Sequence, residues 1–217
     1  MRIRFLALAL PALASLAAAP PRDVTRDVNV FIGTGGHGHT YPGAAVPFGM
    51  VQLSPDTYNE GWDWCSGYHV SDASIMGFSH THLSGTGVGD MLDVLVMPGT
   101  GPVRLTPGDR DKPGSGYRSR FLHQNEKAEP GYYSVLLDDY QVKAELSATE
   151  RAGIHRYTFP KSDSSHVIVD LAHAILSKPG APPRILSAEM RVVGSDTLVG
   201  GRRVDNWAKG RHIYFAL

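Results

Sequence analysis

The chain has 217 residues, with 21 basic and 21 acidic side chains, 42% hydrophobic residues and one cysteine. That balance excludes the basic footprint of a nucleic-acid-binding protein, and a lone cysteine excludes an internal disulfide. The length allows an ordinary apolar core, so the fold must be held by packing.

The first residues, MRIRFLALALPALASLAAAPPRD, place two arginines before an apolar run at 5–16 and the small residues Ala17, Ala18 and Ala19. This is the pattern of a cleavable secretory signal, and the run is too short to span a bilayer. The expected organisation is a signal peptide at 1–19, a short lead at 20–27 and one domain at 28–217, secreted or periplasmic. Past the signal no run is long or apolar enough for a membrane span. Removal of Arg2 and Arg4 leaves 19 basic against 21 acidic residues.

Residues 28–32 read as a short strand. Residues 33–38 then spell G-x-G-x-x-G, but Pro42 and Pro47 follow where a dinucleotide fold needs a helix, so that reading is rejected. A glycine-rich loop presenting His37 and His39 is expected instead. Residues 46–53 read as a strand ended by Ser54-Pro55.

The next stretch, GWDWCSGYHVSDASIMGFSHTHLSGTGVGDMLD at 61–93, gathers Trp62, Trp64, Cys65, three histidines and four aspartates in a Gly/Ser/Thr frame. So many polar groups need partners, and so many glycines oppose a helix. The stretch reads either as a site or as an ordered loop whose side chains bond one another. Within and after it, 74–80 and 91–97 are expected strands, 84–89 a glycine-rich turn, 103–106 a short strand and 107–116 an exposed loop.

The rest reads as strands at 117–123, 131–137, 140–148, 153–159, 167–172, 185–193 and 197–203, with the pair around Asp138-Asp139 forming a hairpin and 178–184 a loop. The closing RHIYFAL looks like one more strand broken off, as in a truncated product. Many short strands between turn signals predict an all-β fold, a large antiparallel β-sandwich with few or no helices.

Several constellations could carry chemistry. His37-Gly-His39 and His80-Thr-His82 are both H-x-H. On a strand such pairs share a face and can ligate one metal, with Asp90 and Asp93 completing the shell; histidines bonded to loop carbonyls and carboxylates are the stronger reading. Cys65 reads as a small buried residue rather than a nucleophile. Trp62, Asp63 and Trp64 join aromatic faces to a carboxylate, as sugar sites do, although Trp64 and Tyr68 can equally be core anchors. Asp56, Glu60, Asp63, Asp72, Asp90 and Asp93 are candidate carboxylates for glycoside hydrolysis, but sequence gives no separation between them.

Long motifs add a family resemblance. VNVFIGTGGHGHTYPGAAVPFGMVQLSPDT, GWDWCSGYHVSDASIMGFSHTHLSGTGVGDMLDVLVMP and EPGYYSVLLDDYQVKAELSATERAGIHRYTFP closely resemble the N-terminal part of glycoside hydrolase family 92, the calcium-dependent exo-acting α-mannosidases. The resemblance runs from residue 28 to the end. It implies a β-sandwich packed on a C-terminal (α/α)6 barrel, and inverting hydrolysis of α-mannosides by a glutamic acid and an aspartate base. It also implies a Ca2+ ion that binds mannose hydroxyls, with acid, base and most calcium ligands in the barrel. For this chain it implies no catalytic residue. His37, His39, Trp62, Asp63, Trp64, His80, His82 and Asp90 are the expected substrate-facing or interdomain positions. A stand-alone carbohydrate-binding sandwich is the alternative.

Overall fold

The computed structural model describes residues 22–112, 114–176 and 180–217; the signal peptide expected at 1–19 lies outside them. The strands are β1 (Ala44–Ala45), β2 (Gln52–Asp56), β3 (Ser74–Ile75), β4 (Gly77–Ser79), β5 (Leu95–Gly99), β6 (Ser119–Arg120) and β7 (Lys127–Glu129). They continue as β8 (Tyr132–Leu137), β9 (Val142–Ala148), β10 (Gly153–Thr158), β11 (His166–Asp170), β12 (Ile185–Val193), β13 (Thr197–Val204) and β14 (Arg211–Ala216). Helical structure among the described residues is confined to three 3-10 turns, at Val24–Asp27, Trp62–Trp64 and His123–Asn125. The protein is all-β.

Two sheets face each other. One has the order β1-β2-β4-β5-β11 and the other β10-β9-β8-β7, with every pairing antiparallel. Period-2 alternation makes the second sheet one-sided. Tyr133, Val135 and Leu137 of β8 pair with Leu146, Ala144 and Val142 of β9, and all six are buried. They meet Ala44, Leu53, Phe78, Leu95 and Met97 of the first sheet in one core. On the outer face Glu145 gathers Tyr132, Lys143 and Arg156. A third sheet, β12-β13-β14, and a short pair, β3-β6, complete the regular structure.

Several expected strands are altered for local reasons. Residues 28–32 form turns, because Asn29 Oδ1 accepts from Phe31 N–H at 3.0 Å and offers the backbone a local partner. The expected strand at 46–53 starts late, since Phe48 sits at φ 60°, and it runs on through Pro55 to Asp56. The expected strand at 74–80 splits at Met76, whose N–H turns to Asp56 O at 2.7 Å; β3 joins β6 while β4 joins β2 and β5. The strand expected at 91–97 begins only at Leu95, because Met91, Leu92 and Val94 take left-handed φ values of 73°, 59° and 56°. Only Ser119–Arg120 of 117–123 is strand, and 103–106 is irregular. The hairpin of β8 and β9 and the strands β10, β12 and β13 lie where expected within a residue or two.

Leu146, 1% exposed, is fully enclosed in the core. Leu146→Ala is expected to cost about 2–5 kcal/mol, read as a lower midpoint in urea denaturation. Ile154→Ala, on the outer side of β10, should change stability by about 0.5 kcal/mol or less.

Candidate functional site

Three loops meet at one surface. The glycine-rich loop carries His37 and His39, the 3-10 turn carries Trp62 and Asp63, and the segment 80–94 folds its tip onto both. His37 Nδ1 lies 2.5 Å from Asp63 Oδ1. Its ring sits 4.9 Å from Trp62, and the His39 ring meets Trp62 edge-on at 4.5 Å. Gly85 N–H bonds His39 O at 2.7 Å. Gly87 lies so close that a Cβ there would stand 2.7 Å from the indole nitrogen of Trp62.

Trp62 is 56% exposed although its ring is held from several sides. His37 is exposed and His39 is buried. His39 Nε2 has no hydrogen-bond partner among the described residues and lies 3.9 Å from Asp63 Oδ1. The hydrogen bond from His37 holds the Asp63 carboxyl below the usual carboxylate range, against the opposing effect of burial.

Beneath this surface the segment 80–94 is clamped by buried polar contacts. Asp56, at the end of β2, is fully buried. It takes His82 Nε2 at 2.7 Å on one oxygen and His173 Nε2 at 2.8 Å on the other. His82 Nδ1 lies 2.7 Å from Gln52 O, so that nitrogen donates. Gly67 gives the carboxylate room, since a Cβ there would fall 2.4 Å from Asp56 Oδ1. Burial works to raise the Asp56 pKa, but the charge of His82 and the hydrogen bonds of both imidazoles prevail and hold it low.

Beside it a relay runs from β10. The Tyr157 hydroxyl lies 2.7 Å from His155 Nδ1, His155 Nε2 lies 2.9 Å from His80 Nε2, and His80 Nδ1 lies 2.7 Å from Val94 O. The carbonyl only accepts, so His80 donates to it from Nδ1, and the proton between the two rings comes from His155. Burial pushes the pKa of both imidazoles down, that of His155 to about 3.

Asp90 and Asp93 anchor the other end of the segment. Asp90 accepts from Met91 N–H at 2.7 Å and Ala208 N–H at 2.8 Å, and Arg211 lies 3.2 Å away. Asp93 takes the Thr81 hydroxyl at 2.6 Å and pairs with Arg211. Arg202 Nε stands 2.9 Å from its other oxygen, off the line of a hydrogen bond. The third sheet is thereby tied to the segment.

Trp64 turns away from Trp62. Its Nε1 donates to Asp72 at 2.7 Å, and the Arg110 guanidinium lies 4.9 Å from its ring centroid and 4.9 Å from that of Tyr58. Cys65 is buried, and burial raises its thiol pKa.

Of the eight positions expected from sequence, the structure brings His37, His39, Trp62 and Asp63 together at the surface. Trp64 is placed in a separate aromatic cluster, and His80, His82 and Asp90 in the internal clamps. Sequence reasoning missed His155, His173, Arg202 and Arg211. They lie 75 to 121 residues along the chain from their partners in these clamps, and no local pattern marks them.

No group of three or more His, Cys, Asp or Glu among the described residues can hold a metal ion. The chemistry agrees: Asp56 is taken by imidazoles, Asp90 and Asp93 by arginines, and Asp63 by His37. These residues do not fit a calcium site.

The surface thus joins an exposed tryptophan to an oriented histidine–carboxylate pair, and the comparisons give the chain that carries it a family. The profile of the glycosyl hydrolase family 92 N-terminal domain matches residues 27–217, and the chain belongs to that family. Among solved structures it is similar to a family GH92 α-mannosidase from Bacteroides thetaiotaomicron in complex with mannoimidazole, with 42% identity and a TM-score of 0.84 over 90% of this chain and 25% of that one. It is also similar to a family GH92 inverting mannosidase from Bacteroides thetaiotaomicron VPI-5482, with 26% identity and a TM-score of 0.68 over 91% of this chain and 25% of that one. A curated relative, an uncharacterized secreted glycosidase of Arthroderma benhamiae, is 30% identical over 198 residues, 85% of this chain and 24% of the relative. The chain spans about a quarter of the length of these proteins.

The clamps set a pH dependence. His80 and His155 have folded pKa values below their ordinary 6.5, that of His155 about 3, so the unfolded chain binds more protons between the two values. The contribution of His155 is complete above pH 6.5 and is lost as pH falls toward 3, by up to about 1.4 kcal/mol per pH unit, and that of His80 is lost in the same direction below 6.5. The depressed Asp56 adds stability above its ordinary 3.8 that is lost below it. Urea midpoints should therefore drop between pH 7 and pH 5, and His155→Phe should flatten that drop.

Proposed function

We propose that this chain forms the sugar-facing N-terminal module of a secreted α-mannosidase that hydrolyses α-linked mannosides of the N-glycan or mannan type with inversion. The carrying observation is the exposed Trp62 indole set beside the His37–Asp63 pair. An indole face accepts the C–H face of a pyranose, while a held carboxylate and imidazole pair with its hydroxyls. The catalytic acid, the base and the ligands of a Ca2+ ion are assigned to an (α/α)6 domain, the module's proposed partner. The described residues form no calcium site.

In this division of labour Trp62, Asp63 and His37 touch substrate, and the buried His39 backs the Trp62 ring. His80, His82, Asp90 and Trp64 support the loops that carry them. Similarity to mannosidases, one of them solved with mannoimidazole, supports the substrate class, and the relative's description as secreted supports export. The exposure of Trp62 also suits a second reading, a carbohydrate-binding sandwich that acts without catalysis.

The purified 217-residue chain is expected to release no mannose from α-mannobiose above a buffer control. Calorimetry should detect mannoside binding that Trp62→Ala reduces by about tenfold or more. Mannose release by the chain alone would overturn the assignment of the chemistry to another domain. Binding unaffected by Trp62→Ala would overturn the assignment of the surface.

A further inference from the structure

A second concavity lies beside the Trp62–Trp64 turn. It encloses about 420 Å³, within the roughly 300–1,000 Å³ of small-ligand sites. Tyr58, Glu60, Asp109, Arg110, Asp111 and Arg118 line it, and none of them belongs to the Trp62 surface. Arg118 is 2% exposed. Its Nη2 donates to Thr57 O at 2.6 Å, its Nε has no partner, and it forms no carboxylate ion pair among the described residues. A buried guanidinium left this way is costly unless something else accepts from it.

The second guanidinium, Arg110, is fixed by its ion pair with the buried Asp72 and by the two aromatic rings it covers. The wall therefore offers guanidinium donors, three carboxylate acceptors and a phenol. The three carboxylates at Glu60, Asp109 and Asp111 repel an anion, and the arginines repel a cation. A neutral ligand with several hydroxyls satisfies both sets.

We propose that this concavity is a second sugar-binding site, taking a neutral pyranose through the Arg118 and Arg110 donors and the Glu60 carboxylate. It goes beyond the reading of the Trp62 surface and stands if that reading fails. Two sites on one module let it hold separate residues of a branched or extended glycan.

The test is an NMR titration of the 15N-labelled chain with methyl α-mannopyranoside, with glycerol as a control. Saturable shifts are expected at the Tyr58 and Glu60 amides and at the Arg110 side chain. They should survive Trp62→Ala and weaken by about tenfold or more in Glu60→Gln and in Tyr58→Ala, the size of a lost charge-assisted hydrogen bond or stacking partner. Both substitutions are at partly exposed positions, and the unshifted amides of the β8–β9 hairpin in each variant's spectrum verify that the fold is kept. Still signals at these residues, equal shifts with glycerol, or loss of the shifts in Trp62→Ala would each overturn a separate sugar site. Trp62 responding while these residues stay silent would leave the first surface intact and remove only the second.

Discussion

Asp56 is the fixed point of the molecule. A carboxylate with no exposure, at the end of a core strand, survives only because two imidazoles from distant parts of the chain close on its two oxygens. His82 brings the start of the segment 80–94, and His173 brings the residues that follow β11. Asp93 repeats the device with Arg211 and Arg202, which bring in the third sheet. Leaving either carboxylate unpartnered would strand a buried charge, so these contacts fix register as well as position.

That fixity explains how a surface loop can be ordered without being part of the core. Met91, Leu92 and Val94 hold left-handed backbone angles, each costing about 1–3 kcal/mol. The clamps on either side stabilise that conformation, and the segment's tip comes to rest on His39 and Trp62. Trp62 stays exposed and yet is packed by Gly87, His37 and His39. A surface built this way would spend little entropy on ordering itself if a ligand bound. Membership in glycosyl hydrolase family 92 gives such a surface its context, since the solved relatives are mannosidases about four times as long as the matched region.

The sequence was most legible where one short-range rule decided the outcome. The β8–β9 hairpin follows from alternating apolar residues around Asp138-Asp139, and both strands pair in the register that alternation demands. Legibility failed where polar side chains bonded the backbone locally, as at Asn29, or where left-handed residues interrupted an apolar run, as in Met91-Leu92-Asp93-Val94. Of the residues named from sequence, His37, His39, Trp62 and Asp63 do come together in space, although nothing local in the sequence announced the His37–Asp63 contact. The separation of Trp64 from Trp62 was not foreseeable, because it depends on Asp72 and Arg110. His80 and His82 do bond carbonyls and a carboxylate, as their setting suggested, but their particular partners, Val94 O, Gln52 O and Asp56, were not readable, since each is supplied by another strand or loop.

Amide hydrogen exchange in Asp56→Asn is the most direct measurement of whether the buried carboxylate organises the surface. Faster exchange is expected through 80–94 and at Gly85 and Trp62, with the β8–β9 hairpin still protected. Acceleration confined to β2 and to the residues around His173, with the Trp62 surface as protected as in the unaltered chain, would contradict it.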